Sequence, residues 1–415
     1  MRKWFFVFGA MIVVASLTIL PGAFARPSAD PGVTAKTITL GGTFPLSGPV
    51  SSYAPIASGM KAYFSYVNAR RSTVDRKRGV YGRQIVWKFV DDAYNPAQTV
   101  QITRQLVEQE KVFALVGGLG TEHQIAVREY LNQQKVPQIF VSTGASTFGR
   151  DYGQYPWTIG WQPDYVSEGS IYGKYIAANQ PTAKIAILFQ NDDYGKDYIE
   201  GLEKGLGSRQ NLIVARQGFE VTAPSVASQI ATLRASGAET LMIFATPPKT
   251  IQTYAIMARL GWKPDNIYLN SVSATDAFLS LAVQSAGAAA VNGSISTSYN
   301  KDPANAKWDN DAGMKLYRQI MAKYLPNARA TDGLYLYGMA KAHSTVQALY
   351  LAGKTPTRAG LQRAVARLNY KDNPFLLPGI VTKTSGTDRF PISQLRLIRF
   401  NNGTWTEFGS LLAGR

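Results

Sequence analysis

The chain reads as an α/β protein with two mostly parallel sheets flanked by helices, and three observations carry that reading. From residue 38 onward, short apolar runs alternate with helical patterns, the order expected of parallel strands covered by helices. The same alternation restarts near residue 164, after one full set of units, so a second sheet follows the first. No low-complexity stretch separates the two sets, which predicts two bodies joined by several short crossings rather than by a flexible linker.

The elements follow in chain order. Arg2 and Lys3 precede an almost wholly apolar stretch, Trp4 to Leu20, and Ala23-Phe24-Ala25 has the small-x-small form of a processing site. This is the pattern of a secretory signal peptide, residues 1–25, cleaved after Ala25. An uncleaved membrane anchor is the rival, disfavoured because Pro21-Gly22 and the Ala-x-Ala site follow the apolar run directly. Arg26 to Thr34 is a Pro/Ala/Asp/Gly leader, and Ile38–Phe44 is a first strand. Pro45-Leu-Ser-Gly-Pro49 is a loop by composition, and the helix after it carries Ile56, Met60, Tyr63, Phe64 and Val67 on one face. Gln84–Val90 is a strand ending in Asp91-Asp92, and Asn95-Pro96 opens a helix with Val100, Thr103, Leu106 and Val107 inward.

Val112–Val116 is a short unbroken apolar run, as expected of a strand covered on both faces. Gly117, Gly118 and Gly120 then allow a tight turn. Thr121 stands where a helix should begin, with Gln124 placed to complete a capping box. A helix start offers unpaired N–H groups and suits an anion. A second polar turn, Val141-Ser-Thr-Gly-Ala-Ser146, follows the apolar strand Val136–Val141. Two such loops meet at the carboxyl edge of an open α/β sheet, where small ligands bind. Without a ligand, Thr121 is simply an N-cap and Ser142–Ser146 simply a loop.

In the second set, Val166–Ala178 is a helix, Lys184–Phe189 a buried strand, Asn191-Asp-Asp-Tyr-Gly195 its exit loop, and Tyr198–Leu206 a helix. Strands at Leu212–Val221, Thr240–Ala245 and Ile267–Asn270 alternate with helices near 225–236 and 248–260, and Gly293–Tyr299 leads out. Three helices follow, near 304–323, 332–351 and 357–368, then short β pieces at Gly379–Thr382, Leu395–Phe400 and Thr404–Phe408. Asn401-Asn402-Gly403 is a hairpin turn between the last two.

Composition excludes several functions. The chain has no cysteine, which removes thiol catalysis, disulfides and cysteine metal sites. Its net charge of +17 invites a nucleic-acid reading, but the basic residues are dispersed. The one tight cluster, Arg70-Arg71 with Arg76-Lys77-Arg78, has no interleaved aromatics, so a solvated basic surface is expected and no nucleic acid. That surface can still attract anionic ligands or lipid headgroups at low salt. Only two histidines exist: His123 is expected as an exposed first-turn residue, His343 as surface or packing. There is no Gly-x-Ser-x-Gly, His-Glu-x-x-His, P-loop or Gly-x-Gly-x-x-Gly after a strand, so no catalytic set, metal site or cofactor is expected. Asp91-Asp92 and Asp192-Asp193 read as capping or turn features rather than metal ligands.

The order of parts resembles the periplasmic solute-binding proteins of ABC importers, of the leucine/isoleucine/valine-binding type, from about Thr37 to Phe408. The residues that carry the resemblance are Gly42-Thr-Phe-Pro-Leu-Ser-Gly-Pro49, Asp91-Asp92-Ala93, Asn95-Pro96, Val116-Gly117-Gly118, Ser142-Thr-Gly-Ala-Ser146, Asn191-Asp-Asp-Tyr-Gly195 and Asp302-Pro-Ala-Asn305. The resemblance implies a two-lobed type I periplasmic-binding-protein fold with three hinge crossings, near Pro163, Tyr299 and Phe390. Lobe one is then residues 36–163 plus 300–390, and lobe two residues 164–299 plus 391–415. It further implies a monomer in the periplasm that hands a small-molecule carboxylate to an ABC permease in the inner membrane. The family's carboxylate-holding loops fall on Leu119, Gly120 and Thr121, and on Gly144, Ala145 and Ser146. Its aromatic wall falls on Tyr53 and its aromatic lid on Tyr194.

Two departures bear on the ligand. Amino-acid binders of this type clamp the α-ammonium with an acidic residue and a tyrosine, and those positions fall near Val272 and Pro247. Neither is charged or aromatic, and a buried ammonium without a carboxylate partner is costly. An aromatic or aliphatic acid without an amino group is therefore a candidate beside a branched-chain amino acid, with Asp276 close enough to reopen the question. A cysteine pair common in amino-acid binders falls on Tyr94 and Gly120, so both partners are absent together. Against this stand a bilobed sensor, which an attached membrane helix after the signal would mark, and a secreted hydrolase.

Overall fold

Short apolar runs become strands in this chain wherever helices can cover both faces. The computed structural model describes Met1 and residues 30–414; Met1 apart, the expected signal peptide lies outside the described residues, as does Arg415 at the end of the expected second lobe. The first five strands are β1 (Thr37–Phe44), β2 (Gln84–Asp91), β3 (Ala114–Val116), β4 (Gln138–Val141) and β5 (Thr158–Gly160). They form an all-parallel sheet in the order β2-β1-β3-β4-β5. Every residue of β3 and β4 is buried, which is why both appear in the sequence as apolar runs without alternation.

The next five strands are β6 (Ile185–Gln190), β7 (Ile213–Phe219), β8 (Thr240–Phe244), β9 (Asn266–Leu269) and β10 (Ile295–Ser298), all mutually parallel. A small antiparallel pair, β11 (Asn369–Tyr370) and β12 (Thr382–Lys383), stands apart. The hairpin β13 (Gln394–Asn401) and β14 (Thr404–Ala413) then joins the second sheet antiparallel, giving the order β14-β13-β10-β9-β8-β6-β7. Its turn residues Asn402 and Gly403 have φ of 51° and 86°, the left-handed pair that a tight hairpin requires.

The chain passes between the sheets three times: after β5, after β10 and before β13. After the second pass, helices Ala312–Tyr324 and Gly333–Ala352 return to the first sheet and pack on helix Pro55–Ala69. The approach is close: a Cβ on Gly338 would lie 2.2 Å from the Ile56 carbonyl oxygen, so only glycine fits.

Some boundaries differ from expectation, for local reasons. The exit loop Asn191–Gly195 is mostly helix, because the Asp192 side chain accepts the Gly195 N–H at 3.3 Å and starts helix Asp193–Leu206 there. The helix expected over 304–323 divides into a turn at Ala306–Trp308 and helix Ala312–Tyr324, because Asp311 accepts the Met314 N–H and caps a new start. Helix Asp276–Ala286, capped by Thr275, had no counterpart among the elements expected from sequence.

A tyrosine-lined cavity at the strand ends

Parallel strands deliver their exit loops to one edge, and in both sheets those loops face a shared cavity. From the first sheet, the segments after β3, β4 and β5 bring Leu119, Gly120, Thr121, Ser142, Thr143 and Gln162 to its wall. From the second, the segments after β6, β8 and β9 bring Tyr194, Thr246, Ser271 and Val272. The cavity continues toward Asp276, Asp302, Asn305, Trp405 and Glu407.

Six of the ten expected site residues line it: Tyr53, Leu119, Gly120, Thr121, Tyr194 and Val272. Gly144, Ala145, Ser146 and Pro247 do not, and their neighbours Thr143 and Thr246 stand there in their place. The reason is a competing partner. The buried carboxylate of Asp197 accepts the Ser146 N–H at 2.6 Å and the Ser146 hydroxyl at 3.1 Å, while the Ala145 N–H goes to Thr143 Oγ1 at 3.1 Å. The Ala145 and Ser146 donors expected for an anion are thus spent within the protein. Burial raises the Asp197 carboxyl to about 6 against these bonds. Pro247 is buried as the first residue of helix Pro247–Arg259.

The capping box expected at Thr121 is absent. Gly120, with φ of 105°, is the N-cap and makes no side-chain bond, and Thr121 is the first helical residue. Its hydroxyl pairs with Thr143 Oγ1 at 2.7 Å, while the Gln124 side chain donates to Thr43 and accepts from Gln138. The outcome still suits an anion, since two hydroxyls stand together at a helix start whose first N–H groups have no intrahelical acceptor.

Six tyrosines line the cavity: Tyr53, Tyr94, Tyr165, Tyr194, Tyr299 and Tyr337. Burial drives each phenol above its ordinary pKa, so all are neutral donors. The Tyr53 hydroxyl donates to the Val272 carbonyl at 3.0 Å and so ties the first-sheet side to the second. Tyr194 packs edge-on to Tyr165, centroids 5.0 Å apart, and its hydroxyl accepts from Asn270 Nδ2. Tyr94, Tyr165, Tyr299 and Tyr337 escaped sequence reasoning. Tyr94 follows the Asp91-Asp92-Ala93 turn in the left-handed region (φ 56°), a conformation that a sequence pattern does not announce for tyrosine.

His123 is buried, not exposed: the Tyr94 ring covers it with centroids 4.1 Å apart. Desolvation lowers its pKa, so it is a neutral packing group. His343 is likewise buried, against Tyr63 and Tyr370, and pushed down to about 4. The acidic pairs act as turn and cap groups. Asp91 accepts from Leu46, Ser47 and Ala93, Asp92 from Tyr94 and Thr99, and Asp192 caps its helix. Among the described residues, no three metal-ligating side chains cluster, and no helix is long and apolar enough to cross a membrane.

Three further carboxyl groups shape the cavity. Asp276 and Asp302 stand on its wall, both Asp276 carboxyl oxygens buried without a hydrogen-bond partner, and burial followed by the charge of Asp302 lifts Asp276 to about 8. Glu168 lies beneath Ser271, where it accepts from the Ser271 N–H and hydroxyl (2.7 Å each) and from the Tyr172 and Tyr198 phenols. Those four donors fix the Ser271–Ser273 turn that presents Val272.

Comparison with known proteins places this architecture. The sequence profile of a family described as periplasmic binding protein matches residues 37–404. Leu/Ile/Val-binding protein homolog 2 of Brucella abortus (strain 2308) is 25% identical over 323 residues, covering 78% of this chain and 80% of that protein. The solved fatty acid ABC transporter substrate-binding protein of Thermomonospora curvata superposes with a TM-score of 0.78 at 20% identity, over 93% of this chain and 94% of that one. An ABC transporter solute-binding protein of Rhodopseudomonas palustris BisB5, solved with 3,4-dihydroxybenzoic acid, superposes with a TM-score of 0.72 at 18% identity, over 91% and 98%.

Proposed function

The chain belongs to the periplasmic binding protein family, and we propose that it is the solute-binding subunit of an ABC importer, capturing a small carboxylate between its sheets for delivery to a membrane permease. The observation that carries this is the convergence at one cavity of the exit loops of both sheets, with the Thr121–Thr143 hydroxyl pair at a helix start and six neutral tyrosines around it. Such a wall suits an anionic head and a flat or branched apolar body. The lobes are residues 36–163 plus 300–390 and residues 164–299 plus 391–415, closing around the ligand by a hinge. The protein works as a monomer in the periplasm, after cleavage behind Ala25, and carries out no catalysis.

In this reading the hydroxyl and backbone N–H of Thr121 hold the carboxylate beside Leu119 and Gly120, whose own N–H groups go to the Thr43 and Ser142 carbonyls, while Tyr53 and Tyr194 enclose the body beside Val272. The body is an aromatic or aliphatic acid lacking an amino group. One observation favours a second reading, a branched-chain amino acid: Asp276 and Asp302 line the same cavity, and both Asp276 carboxyl oxygens are without a hydrogen-bond partner, so the pair can face an ammonium.

Thr121→Ala tests the site. Loss of a hydrogen bond to a charged group should weaken carboxylate binding by about 1–3 kcal/mol. Calorimetric titration of wild type and variant measures it, and equal affinities would move the carboxylate away from this helix start.

A further inference from the structure

Lys341 lies in the middle of helix Gly333–Ala352, fully buried, where the close-packed helix interface would accept an apolar side chain. Its Nζ donates to Ser142 Oγ and sits 4.2 Å from the centre of the Tyr337 ring and 5.8 Å from that of Trp161. Ser142 and Tyr337 both line the ligand cavity, so the amine lies directly behind its wall. Its neighbours bring no counter-charge. The loop after β4 offers the Ser142 hydroxyl, which itself donates to the Gly117 carbonyl at 2.6 Å. The segment after β5 offers the Trp161 indole, which donates to Ser344. Helix Pro55–Ala69 offers the Met60 thioether, which stands over Gly117 as the Lys341 chain does. On its own helix, Tyr337 is a neutral phenol and His343 faces Tyr63 and Tyr370 instead. Burial alone drives the amine well below its ordinary pKa, and no charged group contributes.

A buried amine without a carboxylate partner is costly to ionise, so in the ligand-free protein it is neutral. A ligand carboxylate held at Thr121 and Thr143 would bring the missing negative charge to the other side of Ser142. In that low-dielectric setting the attraction is strong. We propose that Lys341 is a specificity-determining residue: its amine takes one proton from solvent as an anionic ligand binds, and the resulting ion pair across the Ser142 wall rejects uncharged ligands of the same shape. Binding and protonation are then linked. One ligand anion and one solvent proton enter together, and the complex holds no added net charge.

This inference rests on the carboxylate reading above, and the experiment separates the two. Wild type is titrated calorimetrically with benzoate and with valine, in two buffers of different ionisation enthalpy, and with benzamide as the uncharged counterpart of benzoate. Uptake approaching one proton per bound carboxylate is expected, with Kd weakening by up to about tenfold per pH unit above the pKa of the free amine. Lys341→Met should abolish the proton uptake, weaken the carboxylate by roughly tenfold or more, and leave benzamide unaffected. A carboxylate that binds wild type with no proton uptake overturns the role of Lys341 and leaves the carboxylate reading standing. A wild type that binds neither carboxylate contradicts the carboxylate reading and this inference with it. Asp276 on the same wall can also take up a proton. Uptake that persists in Asp276→Asn and is lost in Lys341→Met therefore assigns it to Lys341, and uptake lost in Asp276→Asn overturns that role. Absence of uptake in wild type overturns it even where Lys341→Met folds poorly.

Discussion

Asp276 and Asp302 show how much one contact can tie this molecule to pH. They come from different segments, one opening a helix after β9 and the other following β10, and burial raises both carboxyls, the charge of Asp302 adding to the rise at Asp276. Asp276 titrates at about 8 in the fold against 3.8 for an ordinary aspartate, so between those values the folded chain binds a proton that the unfolded chain has lost. The stability this contributes is complete below the unfolded value and is lost as pH rises through the folded one. Asp276→Asn keeps a hydrogen-bonding side chain and removes that titration. Melting temperatures recorded from about pH 5 to about pH 9 should fall more steeply for wild type than for the variant. Parallel curves would show that Asp276 holds no proton in the fold across this range. Other buried acids, Asp197 and Glu168 among them, shift in the same direction, and the difference between the two curves isolates Asp276.

At the scale of elements, helix Asp193–Leu206 carries both Tyr194 on the cavity wall and Asp197 beneath Ser146. Its start depends on the Asp192 cap, so Asp192→Ala should cost about 1 kcal/mol of stability and weaken ligand binding, while Asp192→Asn keeps most of both. Denaturant melts with parallel ligand titrations check this, and an unchanged Kd in Asp192→Ala would mean that Tyr194 is held by Tyr165 and Asn270 alone. The same helix shows what sequence can reveal. The Asp-Asp-Tyr-Gly run, whose Tyr194 lines the cavity, was legible as the segment leaving β6, and the buried strands β3, β4, β6 and β8 were legible as apolar runs. The pairings that decide which polar groups remain for a ligand were not. Ser146 finds Asp197 across 51 residues, Tyr53 reaches Val272 across 219, and Lys341 reaches Ser142 across 199. Local periodicity says nothing about such contacts. That is why the internal pairing of the Ala145 and Ser146 donors and four of the cavity tyrosines went unnoticed.

For the whole molecule, two sheets present their carboxyl edges to one cavity, and three short passages of chain join them. That arrangement lets each side contribute part of the cavity wall. The central claim is that a small carboxylate fills this cavity, and a thermal-melt panel on ligand-stripped protein tests it most directly. One arm holds leucine, isoleucine, valine and phenylalanine; the other holds benzoate, hydroxybenzoate and cinnamate. A ligand at a hundredfold excess over its Kd adds about 2.7 kcal/mol of stability. Stabilisation by the amine-free acids is the predicted result, and stabilisation by the amino acids would instead assign Asp276 and Asp302 to an ammonium. A panel with no shift from any carboxylate would contradict the claim.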